Sequence, residues 1–270
     1  MNNSDFDSYL TKVGLTSKPA LTEEGLKALH NAQHRRIPFE NFDIALGKSI
    51  SLSDEDLINK LIHKERGGYC FELNGLLLKT LKATGFDTRA LLGRVHLAGE
   101  PTGRSHQVSV VKLDGQLWIV DAGFGSHTPR SPLPLVTDKE LSTDIQTFRF
   151  IETEQFGYML QVKLPDDNEG FIWQSLYSLD MTNVYDADKS YGNFYVSNHP
   201  KSLFVTSRIA AFPIENGIVT IFNNTMKKVV NGITEETVLE ENESYLETLR
   251  TQFGIKLEAS FSDLKPLVTD

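Results

Sequence analysis

The spacing of apolar residues changes at about residue 85, and this change limits the folds that the chain can adopt. Before it, apolar side chains recur at helical spacing in three segments: residues 21–34, a segment capped by Ser53, and one that begins near Cys70 and ends at Gly85. Beyond it, short β-rich runs alternate with a period of two, between turns that contain Asp-Gly or proline. These two periods belong to amphipathic helices and half-buried strands. The sequence therefore predicts N-terminal helices followed by an antiparallel sheet or barrel.

The last third of the chain mixes the two patterns. A tyrosine- and asparagine-rich segment around residues 185–200 is interpreted as a connector. Two hairpin-like runs then flank Asn216-Gly217 and Asn224, and residues 244–253 predict a short amphipathic helix that ends at Gly254.

Charge and hydropathy narrow the classes of partner. Asp and Glu outnumber Lys and Arg by 36 to 27, and no run of basic residues resembles the stripe that binds a phosphate backbone. We therefore expect neither nucleic acid nor a membrane as a partner. The first residues lack the basic region and apolar stretch of a signal peptide, and no apolar run reaches membrane-spanning length, so we expect a cytoplasmic location.

Cys70 is the single cysteine of the chain, which excludes an internal disulfide and a multi-cysteine metal site. It lies in the segment RGGYCFELN at 66–74, where a glycine turn meets a predicted helix start. The partial positive charge of a helix N-terminus would stabilise a thiolate, and its free N–H groups could hold an oxyanion. The glycines would let a substrate approach the backbone closely. A lone cysteine is more often an inert core residue, so its partners decide between the two interpretations.

A hairpin over residues 105–121 supplies candidate partners. Asp114-Gly115 suits a two-residue type I′ turn, and pairing around it places Asp121 opposite Val108. His106 then becomes a diagonal neighbour of Asp121 on the same face, at about 7 to 8 Å between backbones, which the two side chains can bridge with a hydrogen bond. The carboxylate would fix the tautomer and orientation of the imidazole.

Such a His–Asp pair can equally be structural, tying two strands together. Cys70 favours the catalytic interpretation, because acyl transfer through a thiol needs a nucleophile, a base that shares its proton and a group that orients the base. Cys70, His106 and Asp121 offer these groups on separate elements, although sequence spacing cannot show that they meet.

Five segments of the chain resemble the arylamine N-acetyltransferase family. They are IPFEN at 37–41, RGGYCFELN at 66–74, SHQVSVV at 105–111, VDAGFG at 120–125 and the run LRTQFGI at 249–255. The resemblance implies an α+β, multi-domain fold. Its expected parts are an N-terminal helical bundle (1–84), a central antiparallel β-barrel (85–190), and a connector with a C-terminal α/β lid (191–270).

The resemblance also implies a cysteine-protease-like catalytic triad of Cys70, His106 and Asp121. The expected reaction is transfer of an acetyl group from acetyl-CoA to an aromatic amine or hydrazine by a ping-pong mechanism, through a thioester on Cys70. Acetyl-CoA would be a co-substrate, with no permanently bound cofactor and no metal. No strong motif marks a CoA-contacting region, so neither those contacts, the physiological acceptor nor the oligomeric state is predicted.

Four further residues receive roles from the resemblance. Phe39 and Phe124 match positions that line the acceptor pocket, although ordinary core packing explains Phe39 nearly as well. Arg66 and Glu40 match a structural ion pair that would hold the cysteine loop against the preceding helix.

Other functions are compatible with the same residues. An amide synthase that closes macrocyclic polyketides shares this family's fold and triad but takes its acyl group from a carrier protein. A thiol hydrolase would pass the acyl group to water. A binding module that had lost activity would have no need of the three polar residues.

His30 and His34 are spaced by one helical turn and could present two metal ligands on one face. Because no acidic third ligand accompanies them, we interpret them as part of a solvated helix face.

Overall fold

The computed structural model of the protein describes residues 1–166 and 170–267. Its α-helices are α1 (Asn3–Val13), α2 (Glu23–His34), α3 (Phe42–Ala45), α4 (Asp54–Ile58), α5 (Cys70–Thr84), α6 (Asp186–Asn198), α7 (Leu203–Thr206) and α8 (Glu243–Phe253). A π-helical turn over Asn59–His63 continues α4, and short 3₁₀ turns span Gly125–His127 and Phe261–Asp263. Within the described ranges, no helix is long and apolar enough to cross a membrane.

The strands form two antiparallel sheets. They are β1 (Phe39–Glu40), β2 (Asp87–Val95), β3 (Arg104–Leu113), β4 (Gln116–Val120), β5 (Leu133–Pro134), β6 (Leu141–Ser142), β7 (Thr147–Thr153), β8 (Gly157–Asp166), β9 (Gly170–Leu179), β10 (Ile209–Ile214), β11 (Gly217–Phe222), β12 (Thr225–Val230) and β13 (Ile233–Val238). An eight-stranded sheet has the order β5-β4-β3-β2-β9-β8-β7-β6, and a five-stranded sheet has the order β1-β10-β11-β12-β13.

The eight-stranded sheet is nearly closed into a barrel. Thr137, which follows β5 at one edge, forms a bridge with Phe150 of β7 near the other edge. Apolar side chains of the strands fill the interior, including Val108, Phe148 and Leu160, all of which are fully buried. The antiparallel sheet or barrel predicted from the period of two is therefore confirmed, within a mixed α/β fold.

The helix that carries Cys70 begins and ends where the sequence predicts. Cys70 is the first residue of α5, and the helix stops at Gly85, whose φ of 104° is in the left-handed region that favours glycine. In α2, the Thr22 side chain accepts a hydrogen bond from the Gly25 N–H, so the helix begins two residues later than the predicted Leu21.

The predicted hairpin register is confirmed. Leu113 pairs with Gln116, and the two strands continue in register to the pair Ser109–Val120. Asp114 has a φ of 49° and Gly115 a φ of 81°, as a type I′ turn requires. Asp121 thus follows the last paired residue of β4.

The C-terminal sheet contains one more hairpin than we predicted. The turn expected at Asn216-Gly217 lies one residue earlier, because Ile214 pairs with Gly217. A second turn lies at Asn224, as expected, between Phe222 and Thr225. The third, at Asn231-Gly232, joins β12 to β13 and was missed.

The interpretation of residues 185–200 as a connector is wrong, because most of this segment is the helix α6. Its glycine, serines and asparagines are poor helix formers, and it has no continuous apolar stripe. Tertiary contacts hold the helix in place instead: a β-carbon on Gly192 would lie 2.6 Å from Cζ of Phe71, so α6 packs very closely on the start of α5.

Candidate active site

Cys70 lies at the N-terminus of α5 and is buried. Its Sγ atom is 3.7 Å from the carbonyl oxygen of Ser105 on β3. One residue earlier, the Tyr69 N–H donates to Oε2 of Glu72, at 3.1 Å, which caps the first turn. The thiol is therefore fixed at a helix start that faces the beginning of β3.

The two glycines before Cys70 do not have the role that the sequence suggested. A β-carbon on Gly67 would collide with the carbonyl oxygen of Pro38, and one on Gly68 would lie 2.8 Å from Cβ of Glu72. Neither glycine has a positive φ. The two glycines are thus required because the loop packs closely against Pro38 and Glu72. These residues fill the space beside the glycines that a substrate would need.

His106 and Asp121 are in direct contact. Nε2 of His106 lies 2.8 Å from Oδ2 of Asp121, and both side chains are buried. Burial lowers the pKa of His106, but the charge of Asp121, the hydrogen bond to it and the Cys70 side chain raise it by more, to about 10. The predicted hydrogen bond is present, and the imidazole is cationic at neutral pH.

The structure brings the three predicted side chains together. The Cys70 side chain is close enough to His106 to help raise the pKa of the imidazole, and Nε2 of that imidazole is bonded to Asp121. A cationic imidazole next to a thiol at a helix N-terminus is the arrangement that stabilises a thiolate. The catalytic roles of the three residues stay predictions.

Asp121 accepts hydrogen bonds through both carboxylate oxygens. Oδ1 accepts from Nδ2 of Asn74 at 2.8 Å and from the Gly123 N–H at 2.9 Å, while Oδ2 faces His106. Burial raises the pKa of Asp121, but the charge of His106 and these hydrogen bonds lower it by more. The pKa is therefore below its ordinary value. The carboxylate is therefore ionised and fully satisfied.

Asn74 is a residue of the site to which the sequence analysis gave no role. Besides Asp121, its Nδ2 donates to the Gln107 carbonyl at 2.6 Å, and its Oδ1 accepts from the Ala122 N–H at 2.8 Å. It lies one turn after Cys70 on α5. That spacing within RGGYCFELN was the signal that could have identified it, because residues four apart share one helix face.

Aromatic side chains surround the imidazole. The ring of Phe124 lies 4.7 Å from that of His106, centroid to centroid, and Tyr177 lies 4.8 Å away on β9. Phe39 packs near Phe204, with ring centroids 6.0 Å apart. Phe124 is partly exposed and Phe39 buried. Their part in an acceptor pocket stays a prediction, and Tyr177 was not foreseen.

The predicted ion pair between Arg66 and Glu40 is present and belongs to a larger buried cluster. Nη2 of Arg66 is 2.8 Å from Oε1 of Glu40, and Nη1 is 2.9 Å from Oδ1 of Asp43. Lys60, in the π-helical turn, lies 2.7 Å from both Asp43 and Glu72. The cluster thus links the loop before Cys70 to β1, α3, the π-helical turn and α5.

The interpretation of His30 and His34 as part of a solvated face is wrong. Both are buried, and Nε2 of His30 lies 2.8 Å from the backbone oxygen of Asp121. The face of α2 that bears them packs against the barrel, which a period of 3.6 alone does not reveal. In the described part of the chain, no group of three or more His, Cys, Asp or Glu could hold a metal ion.

The chain is similar to known sequences over most of its length. A family model described as N-acetyltransferase matches residues 22–262. An arylamine N-acetyltransferase of Escherichia coli strain K12 is 32% identical over 254 residues, which cover 93% of this chain and 88% of that protein. The chain is also 33% identical over 253 residues to an arylamine N-acetyltransferase / N-hydroxyarylamine O-acetyltransferase of Salmonella typhimurium. This match covers 92% of the chain and 88% of the relative.

Solved structures have the same fold. The arylamine N-acetyltransferase of Salmonella typhimurium superimposes with a TM-score of 0.89 at 30% identity, covering 97% of this chain and 96% of that one. The Mycobacterium marinum arylamine N-acetyltransferase in complex with CoA has a TM-score of 0.85 at 32% identity, covering 93% and 92%.

Proposed function

Because the chain belongs to the arylamine N-acetyltransferase family, we propose that it transfers an acetyl group from acetyl-CoA to an aromatic amine or hydrazine through a thioester on Cys70. Acetyl-CoA is then a co-substrate that leaves as CoA after the first half of the reaction. One observation supports the proposal above others: an imidazole whose pKa the Cys70 side chain helps to raise is hydrogen-bonded to a buried carboxylate, near the thiol at the start of α5.

In the first half of the reaction, the Cys70 thiolate attacks the carbonyl carbon of acetyl-CoA. Its proton resides on His106, whose pKa of about 10 keeps the imidazole charged. The developing oxyanion lies near the free N–H groups at the start of α5. When the tetrahedral intermediate collapses, the C–S bond to CoA breaks, and the departing sulfur takes the proton from His106.

In the second half, the amine nitrogen attacks the thioester carbon. His106, now neutral, takes the proton that the nitrogen loses, and the Cys70 sulfur leaves as a thiolate. Aromatic amines and hydrazines suit this step because their nitrogen is largely unprotonated near neutral pH. The ring of Phe124 lies 4.7 Å from that of His106, which supports its proposed role of stacking on a flat acceptor.

The half-reaction can be tested without an acceptor. Intact-protein mass spectrometry after addition of acetyl-CoA alone should show one added acetyl group, and peptide mapping should place it on Cys70. Cys70→Ala should remain unmodified. An unmodified wild-type protein, or acetylation elsewhere, would contradict the proposal.

Steady-state kinetics test the full cycle. With acetyl-CoA and an aromatic amine or hydrazine, double-reciprocal plots should give parallel lines, because CoA leaves before the acceptor binds. Intersecting lines would refute the ping-pong order. Rapid loss of the acetyl group to water without an amine would instead identify a hydrolase.

A further inference from the structure

We propose that His30 is a positioning residue for the reaction at Cys70: it fixes the backbone of Asp121, and through it the carboxylate that orients His106. This inference rests on the proposed function, since it assigns a role within the same site. We assign His30 no contact with the thiol or with a substrate. It acts through the aspartate.

His30 is hydrogen-bonded to the backbone of Asp121 just beyond the end of the strand pairing. The last pair of β4 with β3 is Ser109–Val120, so the ladder ends just before Asp121. The backbone oxygen of Asp121 instead accepts from Nε2 of His30, at 2.8 Å. His30 is fully buried, so water cannot replace it without a change in packing.

Two helices therefore hold Asp121 at two different points. Asn74, on α5, fixes the carboxylate at 2.8 Å, and His30, on α2, fixes the carbonyl at 2.8 Å. A side chain that must meet a partner ring needs both its own contacts and a fixed backbone. Without His30, the backbone carbonyl of Asp121 would lose this fixed point, and the carboxylate would be held less firmly relative to the imidazole.

The charge state of His30 fits this role. Burial lowers its pKa, and the hydrogen bonds to the Asp121 backbone and to Asn31 raise it by less, so the pKa is below its ordinary value and the ring is neutral at pH 7. A neutral ring has one N–H, which Nε2 donates to the carbonyl, so Nδ1 beside Asn31 is unprotonated. It places no second positive charge beside Asp121 to compete with that of His106.

His34 provides a matched control on the same helix. It is also a buried histidine, one turn after His30, with ring centroids 5.9 Å apart. Among the described residues its side chain makes no hydrogen bond to Asp121. Replacing it should disturb the packing of α2 in the same way while leaving the backbone of Asp121 held.

The experiment compares His30→Leu, His30→Gln and His34→Leu with the wild-type protein. The first variant removes the hydrogen-bond donor, the second retains an amide N–H at a similar reach, and the third controls for packing. Each is measured well below its own melting temperature. The readouts are the rate of Cys70 alkylation by iodoacetamide, and kcat and KM for acetyl-CoA with an aromatic amine.

We expect His30→Leu to lower both the alkylation rate and kcat by about tenfold with little change in KM. His30→Gln and His34→Leu should remain within about threefold of the wild-type rates, even if their melting temperatures fall. A wild-type alkylation rate in His30→Leu, no recovery in His30→Gln, or an equal loss in His34→Leu would each overturn the proposal.

Alkylation also separates this inference from the proposed function. If the wild-type thiol reacts rapidly with iodoacetamide but is not acetylated by acetyl-CoA, the acetyltransferase proposal fails while the comparison at His30 still stands. A wild-type thiol that reacts no faster than a free cysteine would overturn both, because there would be no activated nucleophile to position.

Discussion

Gly123 lies directly against Cys70: a β-carbon on Gly123 would be 3.1 Å from Cα of Cys70. The same β-carbon would be 3.1 Å from Nδ2 of Asn74. Since the Gly123 N–H also donates to Asp121, this glycine joins the segment that carries the carboxylate to the helix that carries the thiol. Their separation is therefore set by a backbone contact with no room for a side chain.

Gly123→Ala should separate the two halves of the site. The added methyl group requires the start of α5 to shift by a few tenths of an ångström from the segment after β4, which we expect to lower the rate of Cys70 acetylation by about tenfold. Overpacking should also cost about 1 to 3 kcal/mol of stability. Gly170→Ala is the control, because a β-carbon there meets nothing within 4 Å. Equal acetylation rates in both variants would contradict the expectation.

Asn74→Asp tests whether the amide holds the carboxylate in its ionised form. The substitution keeps the shape but replaces a donor by a second carboxylate beside Asp121, which should raise the pKa of Asp121. We expect kcat to fall by at least about tenfold and its acid limb to move to higher pH. Asn74→Ala removes the hydrogen bond without adding a charge, so it should lower kcat with a smaller movement of the acid limb. An identical pH profile in the two variants would argue against this role.

Features of the fold that depend on a few adjacent residues could be predicted from the sequence. Asp114-Gly115 accepts the positive φ values of a type I′ turn, and that turn fixes the register of β3 and β4 and hence the contact of His106 with Asp121. Gly85 similarly determines where α5 ends. In both cases a few adjacent residues carry the whole constraint.

The helix α6 and the burial of His30 could not be predicted from the sequence, because both depend on tertiary packing. The helix α6 is held by the close approach of Gly192 to Phe71, two residues far apart in the chain. The burial of His30 depends on which face of α2 meets the barrel, and its partner is a backbone oxygen, which carries no sequence signal. Contacts of this kind need the fold before they can be predicted.

The protonated form of His106 should contribute to stability over a defined pH range. Its pKa is raised from 6.5 to about 10 in the folded protein, so the contribution is fully present below pH 6.5 and is lost as the pH rises through about 10. The free energy of unfolding of the wild-type protein, measured in urea, should therefore fall more steeply with pH than that of His106→Gln over this range. Parallel pH dependences would contradict the raised pKa.

Lys60→Met should destabilise the fold strongly, because it leaves the buried carboxylate of Glu72 without its cation, whereas the partly buried Asp43 keeps Arg66. Both carboxylates lie 2.7 Å from the Lys60 amine, and losing one partner of a buried pair costs about 3 to 5 kcal/mol. By contrast, Lys227→Met removes a half-exposed ion pair with Glu236 and should cost less than about 1 kcal/mol.

Acid should reduce the cost of Lys60→Met. Burial already raises the pKa of Glu72 above its ordinary value although Lys60 lowers it, so without the lysine that pKa must rise further. A carboxyl group with a raised pKa in the folded protein stabilises the fold as the pH falls through that value. The difference in free energy of unfolding between wild type and Lys60→Met should thus shrink from pH 8 to pH 5. A constant difference would show that the variant loses packing and not charge compensation.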